Sequence, residues 1–138
     1  MERIITSSLD IDGFPFITVG CGRPNSEIYQ FTVKAIIDTG AAYCLMQPPL
    51  IEKLGLTAFK HSKINHPVKG ELLSSNYMTS LYIDLENPIG CAKVEGLRVG
   101  ILHELSYPAG MIIGCEFLQY CRFNYDGPNK TFELCMKF

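Results

Sequence analysis

The sequence predicts a mainly β protein with one or two short helices, and three observations support this fold class. Segments rich in β-branched and aromatic residues recur along the 138 residues, and Gly, Pro, Asn and Asp separate them, which is the pattern of short strands joined by turns. Hydrophobic residues make up 47% of the chain, enough to fill one core. The length is usual for one domain. We therefore expect a single domain over residues 1–138.

The first half of the chain predicts two strands and a helix. Residues 15–20 and 28–37 are rich in β-branched and aromatic side chains. The second segment becomes continuously apolar just before Asp38, as expected of a strand that is buried on both faces. Pro48 and Pro49 precede a short segment that stops at Gly55, and proline at the start with glycine at the stop indicates a short helix.

The second half predicts a hairpin, further strands and a second short helix. The hairpin covers residues 62–85, and another strand covers residues 92–102. Residues 111–113 form an apolar segment that indicates a buried strand, and a short helix is expected at residues 115–121. Residues 123–127 then enter a turn, and a closing strand follows at residues 130–136.

Composition and charge exclude several classes of partner. The net charge is −2 and the pI is about 5.9, so the chain lacks the basic footprint that neutralises nucleic-acid phosphates. The apolar runs are far shorter than the roughly 20 residues that cross a bilayer, so we expect no membrane partner. The first residues lack the apolar core of a secretory signal, and a cytoplasmic location is therefore expected.

The cysteines and histidines do not form a recognisable metal site. No Cys-x-x-Cys pair occurs, and without an export signal reduced thiols are expected. Neither residue type shows the close paired spacing of a four-ligand zinc site. We predict no metal and no cofactor. The cysteines lie at positions 21, 44, 91, 115, 121 and 135, and the histidines at 61, 66 and 103.

The strongest candidate for chemistry is the Asp38-Thr39-Gly40 sequence. Alone it is a weak signal, because Asp and Gly are common in turns that end strands. The preceding apolar strand delivers this carboxyl to a buried position, however, where an unpaired charge is costly. Gly40 permits a tight turn beside the carboxylate, and Thr39 can hydrogen-bond to lock that turn. The pattern predicts a rigidly held acid.

Two separated elements resemble the retropepsin-like aspartic peptidases. Residues 35–41, Ala-Ile-Ile-Asp-Thr-Gly-Ala, match the element in which that family places Asp-Thr/Ser-Gly-Ala after an apolar strand. Ile112, Ile113 and Gly114, ahead of a short helix, match the second element in order and spacing. The resemblance extends over roughly residues 14–136. It implies a closed β-barrel that is active as a two-fold dimer.

The resemblance also implies an activity and a partner. The chain has one Asp-Thr-Gly, so an aspartic endopeptidase would take its second Asp38 from an identical subunit in a homodimer. The two carboxyls would share a proton and activate water against a peptide or protein substrate, without a metal or a covalent intermediate. Thr39 would bond across the two-fold axis, and Gly40 and Ala41 would support the site.

Three departures from the family pattern are visible. The possible flap has one glycine where retroviral relatives have a glycine-rich tip. Glu116 replaces the Asp that relatives often carry near the start of the last helix, and we interpret it as a first-turn charge outside the catalytic pair. Ala42 replaces a small polar residue. The possible flap consists of Val68, Lys69, Gly70 and Glu71.

Other interpretations remain open. The carboxylates between Asp10 and Gly13 superficially resemble a calcium loop but lack its later ligands, which favours a surface turn. Cys44 with His66 or His103 could form a thiol peptidase pair, although no local signature supports it. The competing functional class is a non-catalytic or weakly active dimerisation or peptide-binding module with the same fold.

Overall fold

The computed structural model describes residues 2–68, 70–86, 89–104 and 106–137. In these residues the chain forms ten strands and two short helices. The strands are β1 (Glu2–Ser8), β2 (Phe16–Gly22), β3 (Phe31–Ile37), β4 (Cys44–Met46), β5 (Lys60–His66), β6 (Gly70–Glu86), β7 (Ile89–Ile101), β8 (Met111–Ile113), β9 (Cys121–Asp126) and β10 (Thr131–Lys137). The helices are α1 (Pro48–Leu54) and α2 (Cys115–Leu118).

Six of the strands close into a barrel. They are hydrogen-bonded in the order β2-β3-β8-β4-β7-β6, and β6 pairs back with β2. The pairs β3–β8 and β4–β7 are parallel, and the other pairs in the ring are antiparallel. The closed, mainly β fold with short helices that the sequence predicts is therefore confirmed.

A second, three-stranded sheet joins the two ends of the chain. Its order is β1-β10-β9, and β1 pairs antiparallel with β10 from Glu2 opposite Lys137 to Ser8 opposite Thr131. Phe132 and Leu134 of β10 are fully buried and belong to the same apolar core as the barrel. Burial of these side chains stabilises the contact between the sheet and the barrel.

The last three residues of β3, which lead to Asp38, and strand β8 beside them are buried on both faces, as their apolar sequences predict. Ala35 and Ile37 of β3 point into the main core together with Ile113 of β8. Ile36 and Ile112 alternate with them and pack on the other face, in a smaller cluster with Leu102 and Ala109. Apolar contacts therefore hold the site-bearing strands from both sides.

Helix α1 has the start and the stop that its sequence predicts. Proline occupies its first positions, and Gly55 caps its end in the left-handed region at φ 66°. The Gly55 N–H donates to the Glu52 carbonyl at 2.9 Å, which satisfies a carbonyl of the last turn. Among the described residues, neither α1 nor α2 is long and apolar enough to span a bilayer.

The predicted mid-chain hairpin is formed by β5 and β6. The first part of β6, from Gly70 to Asn76, pairs with β5. From Tyr77 onward β6 pairs with β7, and β6 also pairs with β2 from Ser80 to Tyr82. The outer half of the hairpin therefore extends from the barrel as a two-stranded ribbon.

The strand expected over residues 28–37 is shorter than the sequence predicts. It begins at Phe31, because the preceding residues form a loop rather than a continuous strand. Asn25 takes a left-handed φ of 61° in this loop, and the Tyr29 ring packs against Tyr82 with centroids 5.7 Å apart. Long-range packing of the loop overrides the local β propensity of Ile28.

The region after β8 also differs from the prediction. Helix α2 ends at Leu118 rather than at residue 121, because Cys121 already pairs with Met136 in the β9–β10 ladder. The turn expected over residues 123–127 lies later, since β9 continues to Asp126. Strands β1 and β4 were not predicted. Both form ladders with partners that are distant in sequence.

Candidate active site

Asp38 follows directly after two parallel strands that end side by side. Ile37 of β3 lies opposite Ile113 of β8, and the Asp38 N–H donates to the Ile113 carbonyl at 3.0 Å. The predicted pairing of these two segments beneath the Asp38 turn is present. This hydrogen bond fixes the backbone of Asp38 to the sheet. Asp38 is half-buried, so its carboxyl keeps access to solvent.

The turn after Asp38 orients the carboxylate. The Gly40 N–H donates to Asp38 Oδ1 at 2.8 Å, and the Ala41 N–H donates to the Asp38 carbonyl at 3.2 Å. A backbone donor on a carboxylate oxygen is a charge-assisted hydrogen bond. A Cβ at Gly40 would lie 3.2 Å from Asp38 Oδ1, so glycine allows this close approach. Among the described residues the second oxygen, Oδ2, has no hydrogen-bond donor and is left for other partners.

Thr39 does not lock the turn in the way the sequence suggests. Its side chain is exposed, and within the described residues its hydroxyl makes no hydrogen bond, whereas its carbonyl accepts one from the Cys115 thiol at 3.1 Å. The backbone bonds of Gly40 and Ala41 hold the turn instead. The Thr39 hydroxyl therefore remains available to a group outside this chain.

Gly114 and the start of α2 hold the far side of the turn. The Cys115 N–H donates to the Ala41 carbonyl at 2.7 Å, and the Glu116 N–H donates to the Ala42 carbonyl at 3.0 Å. These two N–H groups belong to the first turn of a helix, where they have no partner within the helix. A Cβ at Gly114 would lie 2.2 Å from the Tyr43 carbonyl oxygen. Only glycine permits the contact.

An ion pair connects this region to the barrel. Glu116 lies in the first turn of α2, as expected of a first-turn charge, and its Oε2 is 3.3 Å from Arg98 Nε on β7. The Arg98 guanidinium lies over the Tyr43 ring, 4.3 Å from its centroid. The sequence gives no sign of Arg98 and Tyr43 at this site, because no local pattern shows that β7 passes beside the turn.

Tyr107 is a further titratable side chain near Asp38. It is half-buried and packs on the small cluster that contains Ile36 and Ile112. Burial, together with the negative charges of Asp38 and Glu104, raises the pKa of the Tyr107 phenol. The phenol therefore stays protonated and can donate a hydrogen bond at neutral and acidic pH. Nothing in the sequence around Tyr107 points to this location.

The possible flap lies at the tip of the β5–β6 hairpin. Val68 is 88% exposed, and Gly70 has a φ of 75° with no heavy atom close to the position of a Cβ. Glu71 forms an exposed ion pair with Lys63 at 3.3 Å. Lys69 lies outside the described residues. The described residues of the tip, Val68, Gly70 and Glu71, are thus exposed to solvent.

Burial and local hydrogen bonds argue against the alternative sites, and the His66 side chain lies outside the described part of the chain. Cys44 is buried inside the barrel, and burial raises the pKa of its thiol to about 11, which opposes the thiolate that a thiol peptidase needs. Asp10 Oδ1 accepts the N–H groups of Asp12 and Phe14, a local turn rather than a ligand loop. Within the described ranges, no group of three His, Cys, Asp or Glu residues is arranged to hold a metal.

The unequal burial of the thiols predicts selective labelling. Cys115 is exposed, whereas Cys21 and Cys44 are buried, and burial raises the pKa of the Cys21 thiol to about 12. We expect iodoacetamide to alkylate Cys115 at least about 10-fold faster than Cys21 or Cys44 in the native protein. Peptide mapping by mass spectrometry over time measures the rates. Equal rates without denaturant would contradict this burial pattern.

Comparison with known proteins shows similarity of structure but not of sequence family. No protein-family model matches the chain, and no curated protein matches it. Its structure is similar to the crystal structure of a retropepsin-like aspartic protease from Rickettsia conorii, with a TM-score of 0.71 and 18% sequence identity. The match covers 99% of this chain and 92% of that chain. The chain therefore has the fold of a retropepsin-like aspartic protease.

Proposed function

We propose that this chain is a single-domain subunit of a homodimeric aspartic endopeptidase. One observation supports it above all: the Asp38 carboxylate is held by the Gly40 N–H at 2.8 Å in a turn where two parallel strands end. It is half-buried, so it is oriented and still accessible to substrate. The similarity of the fold to that of a retropepsin-like aspartic protease supports a catalytic role for this carboxylate.

The proposed activity requires a second copy of the chain. The sequence contains one Asp-Thr-Gly, and symmetric association supplies the missing carboxylate. Thr39 and Gly40 are exposed in the single subunit, so the face of the turn is open to a partner. Within the described residues, β1 and β9 form the outer edges of their sheet, and such edges can pair with another chain.

The proposed mechanism follows from the electrostatics of two neighbouring carboxyls. Two such groups at hydrogen-bond distance cannot both ionise cheaply, so they share one proton. The charged Asp38 takes a proton from water as the water oxygen attacks the peptide carbonyl carbon, and the protonated partner donates to the developing oxyanion. The C–N bond then breaks as the carboxyl that took the water proton gives it to the departing nitrogen, while the other carboxylate takes back a hydroxyl proton from the tetrahedral intermediate. The exposed Thr39 hydroxyl would bond across the two-fold axis.

The β5–β6 hairpin is the proposed flap over the substrate. Its outer half pairs only within itself in the described residues, so it can move relative to the barrel at a small cost in contacts. The positive φ of Gly70 allows a tight turn at the tip. We assign Val68, Lys69, Gly70 and Glu71 to this flap.

Dilution tests the shared site. Activity per subunit should fall as the protein is diluted below the dissociation constant of the dimer, because a monomer has half of the catalytic pair. Cleavage of a peptide library, read by mass spectrometry across a dilution series, is compared with the oligomeric state from sedimentation. Full activity in a strictly monomeric population would refute the proposed dimeric enzyme.

The second candidate is a weakly active or non-catalytic dimerisation and peptide-binding module. The observation that favours it is the flap tip, where Gly70 is the one glycine and the Lys63–Glu71 ion pair tethers the two strands. The same peptide library separates the two functions. Binding of peptides without cleavage at any pH would support the module and would overturn the enzyme.

A further inference from the structure

The segment after Asp38 depends on α2 for its position. The carbonyls of Ala41 and Ala42 accept the first two N–H groups of α2, and the side chains of Ala42 and Tyr43 are exposed. Helix α2 has four residues and no side-chain cap at its start. A helix this short is not stable by itself. Contacts that hold α2 therefore also hold the turn.

Arg98 contacts both α2, through Glu116, and the segment after Asp38, through Tyr43. Its Nε lies 3.3 Å from Glu116 Oε2, and both side chains are 27% exposed. Its guanidinium lies 4.3 Å from the centroid of the Tyr43 ring. Tyr43 follows Ala42 in the chain, and the Glu116 N–H donates to the Ala42 carbonyl. Arg98 therefore closes a ring of contacts around that hydrogen bond.

Arg98 is itself fixed by the barrel. Its neighbour Val99 is fully buried and lies opposite Cys44 of β4 and Tyr77 of β6. Strand β7 is thus paired on both sides at this point, which gives Arg98 a rigid base. Arg98 is therefore anchored in the barrel, and not in the segment after Asp38 that it contacts.

We propose that Arg98 is a positioning residue for Asp38, which it holds in its working orientation through Tyr43 and Glu116. The inference rests on the proposed endopeptidase function. A planar guanidinium can stack on an aromatic ring and bond to a carboxylate at the same time, whereas an ammonium is a compact point charge. Arg98→Lys should therefore restore only part of the effect of arginine.

Steady-state kinetics measure the positioning effect. We expect Arg98→Met to lower kcat about 10- to 100-fold with KM changed less than about twofold, because small misplacements of a reacting group are costly while substrate contacts are kept. Arg98→Lys should be intermediate.

Lys53→Met is the matched control. Lys53 Nζ lies 5.0 Å from the Phe31 ring centroid, so this variant removes a contact of the same kind. Phe31 is the first residue of β3. At the usual rise per residue of a strand, it lies about 20 Å from the end of β3 that leads to Asp38. Wild-type kcat is expected for this variant. A loss equal to that of Arg98→Met would mean that the loss is not specific to the Asp38 turn, and would overturn the proposal.

Hydrogen exchange tests the same proposal without catalysis. In Arg98→Met the Cys115 and Glu116 amides should exchange at least about 10-fold faster than in wild type, with the barrel amides unchanged. Wild-type exchange at both amides, or faster exchange with unchanged kcat, would overturn the role of Arg98. Cleavage that survives Asp38→Asn would instead overturn the proposed function. The two failures are therefore distinguishable.

Discussion

Replacing Asp38 by Asn is expected to abolish peptide cleavage while the protein remains folded. Asn has nearly the same shape, and its side-chain oxygen can still accept the Gly40 N–H that Asp38 Oδ1 accepts at 2.8 Å. It cannot take up or give the shared proton, and a two-fold dimer carries the change in both halves. A loss on the order of 10³-fold in kcat is expected from removal of general acid–base catalysis.

A pH–rate profile makes this test specific. In the proposed mechanism the singly protonated pair is the working state, so wild-type cleavage should follow a bell-shaped profile favouring acidic to mildly acidic pH. Raising the pH removes the proton that the acid must donate, and activity should fall. Circular dichroism and sedimentation should show that Asp38→Asn keeps the fold and the oligomeric state of wild type.

Cys44→Ser is the matched control for the chemistry. Cys44 is buried and its thiol pKa is raised to about 11, so a thiolate is not available to attack a substrate. This variant should keep substantial activity, and chelators should have no effect in the proposed mechanism. Turnover that persists in Asp38→Asn, or that vanishes in a folded Cys44→Ser protein, would show that the chemistry belongs to another residue.

The fold could be predicted where local signals are strong. Pro48 with Gly55 marks α1, and the apolar segments before Asp38 and Gly114 indicate buried strands because both faces are covered. The closed barrel came from the family resemblance rather than from local propensity. Strand β4 has three residues, too few to show a period, and β1 depends on β10 at the other end of the chain.

The candidate site likewise contains residues that a local motif predicts and residues that only the tertiary fold brings together. Asp38 and Gly40 form a local motif whose backbone geometry is contained in a few consecutive residues. Arg98 on β7 and Tyr107 between β7 and β8 come near this turn only through the tertiary fold, and a single sequence contains no measure of that proximity. Glu116 could be interpreted as a charge in the first helical turn, yet its ion pair with Arg98 depends on the tertiary fold.

Gly114→Ala is expected to destabilise the protein strongly and to disrupt the Asp38 turn. The new Cβ would lie 2.2 Å from the Tyr43 carbonyl oxygen and 2.7 Å from that of Ala41, well inside van der Waals contact. Gly114 has a φ of −100°, which alanine adopts without strain, so the clash alone determines the cost. Both clashing atoms belong to the backbone, and relief requires α2 and the turn to separate.

We expect Gly114→Ala to lower the free energy of unfolding by about 3 kcal/mol or more, at the upper end of overpacking effects. Separation of α2 from the turn would also weaken the hydrogen bonds that Cys115 and Glu116 donate, so cleavage should fall with stability. Gly127→Ala is the matched control, because its Cβ would lie 3.5 Å from the Tyr125 ring in ordinary contact. Its unfolding free energy should stay within about 0.5 kcal/mol of wild type. Urea denaturation gives both values, and equal midpoints for the two variants would mean that the turn does not pack against Gly114 as described.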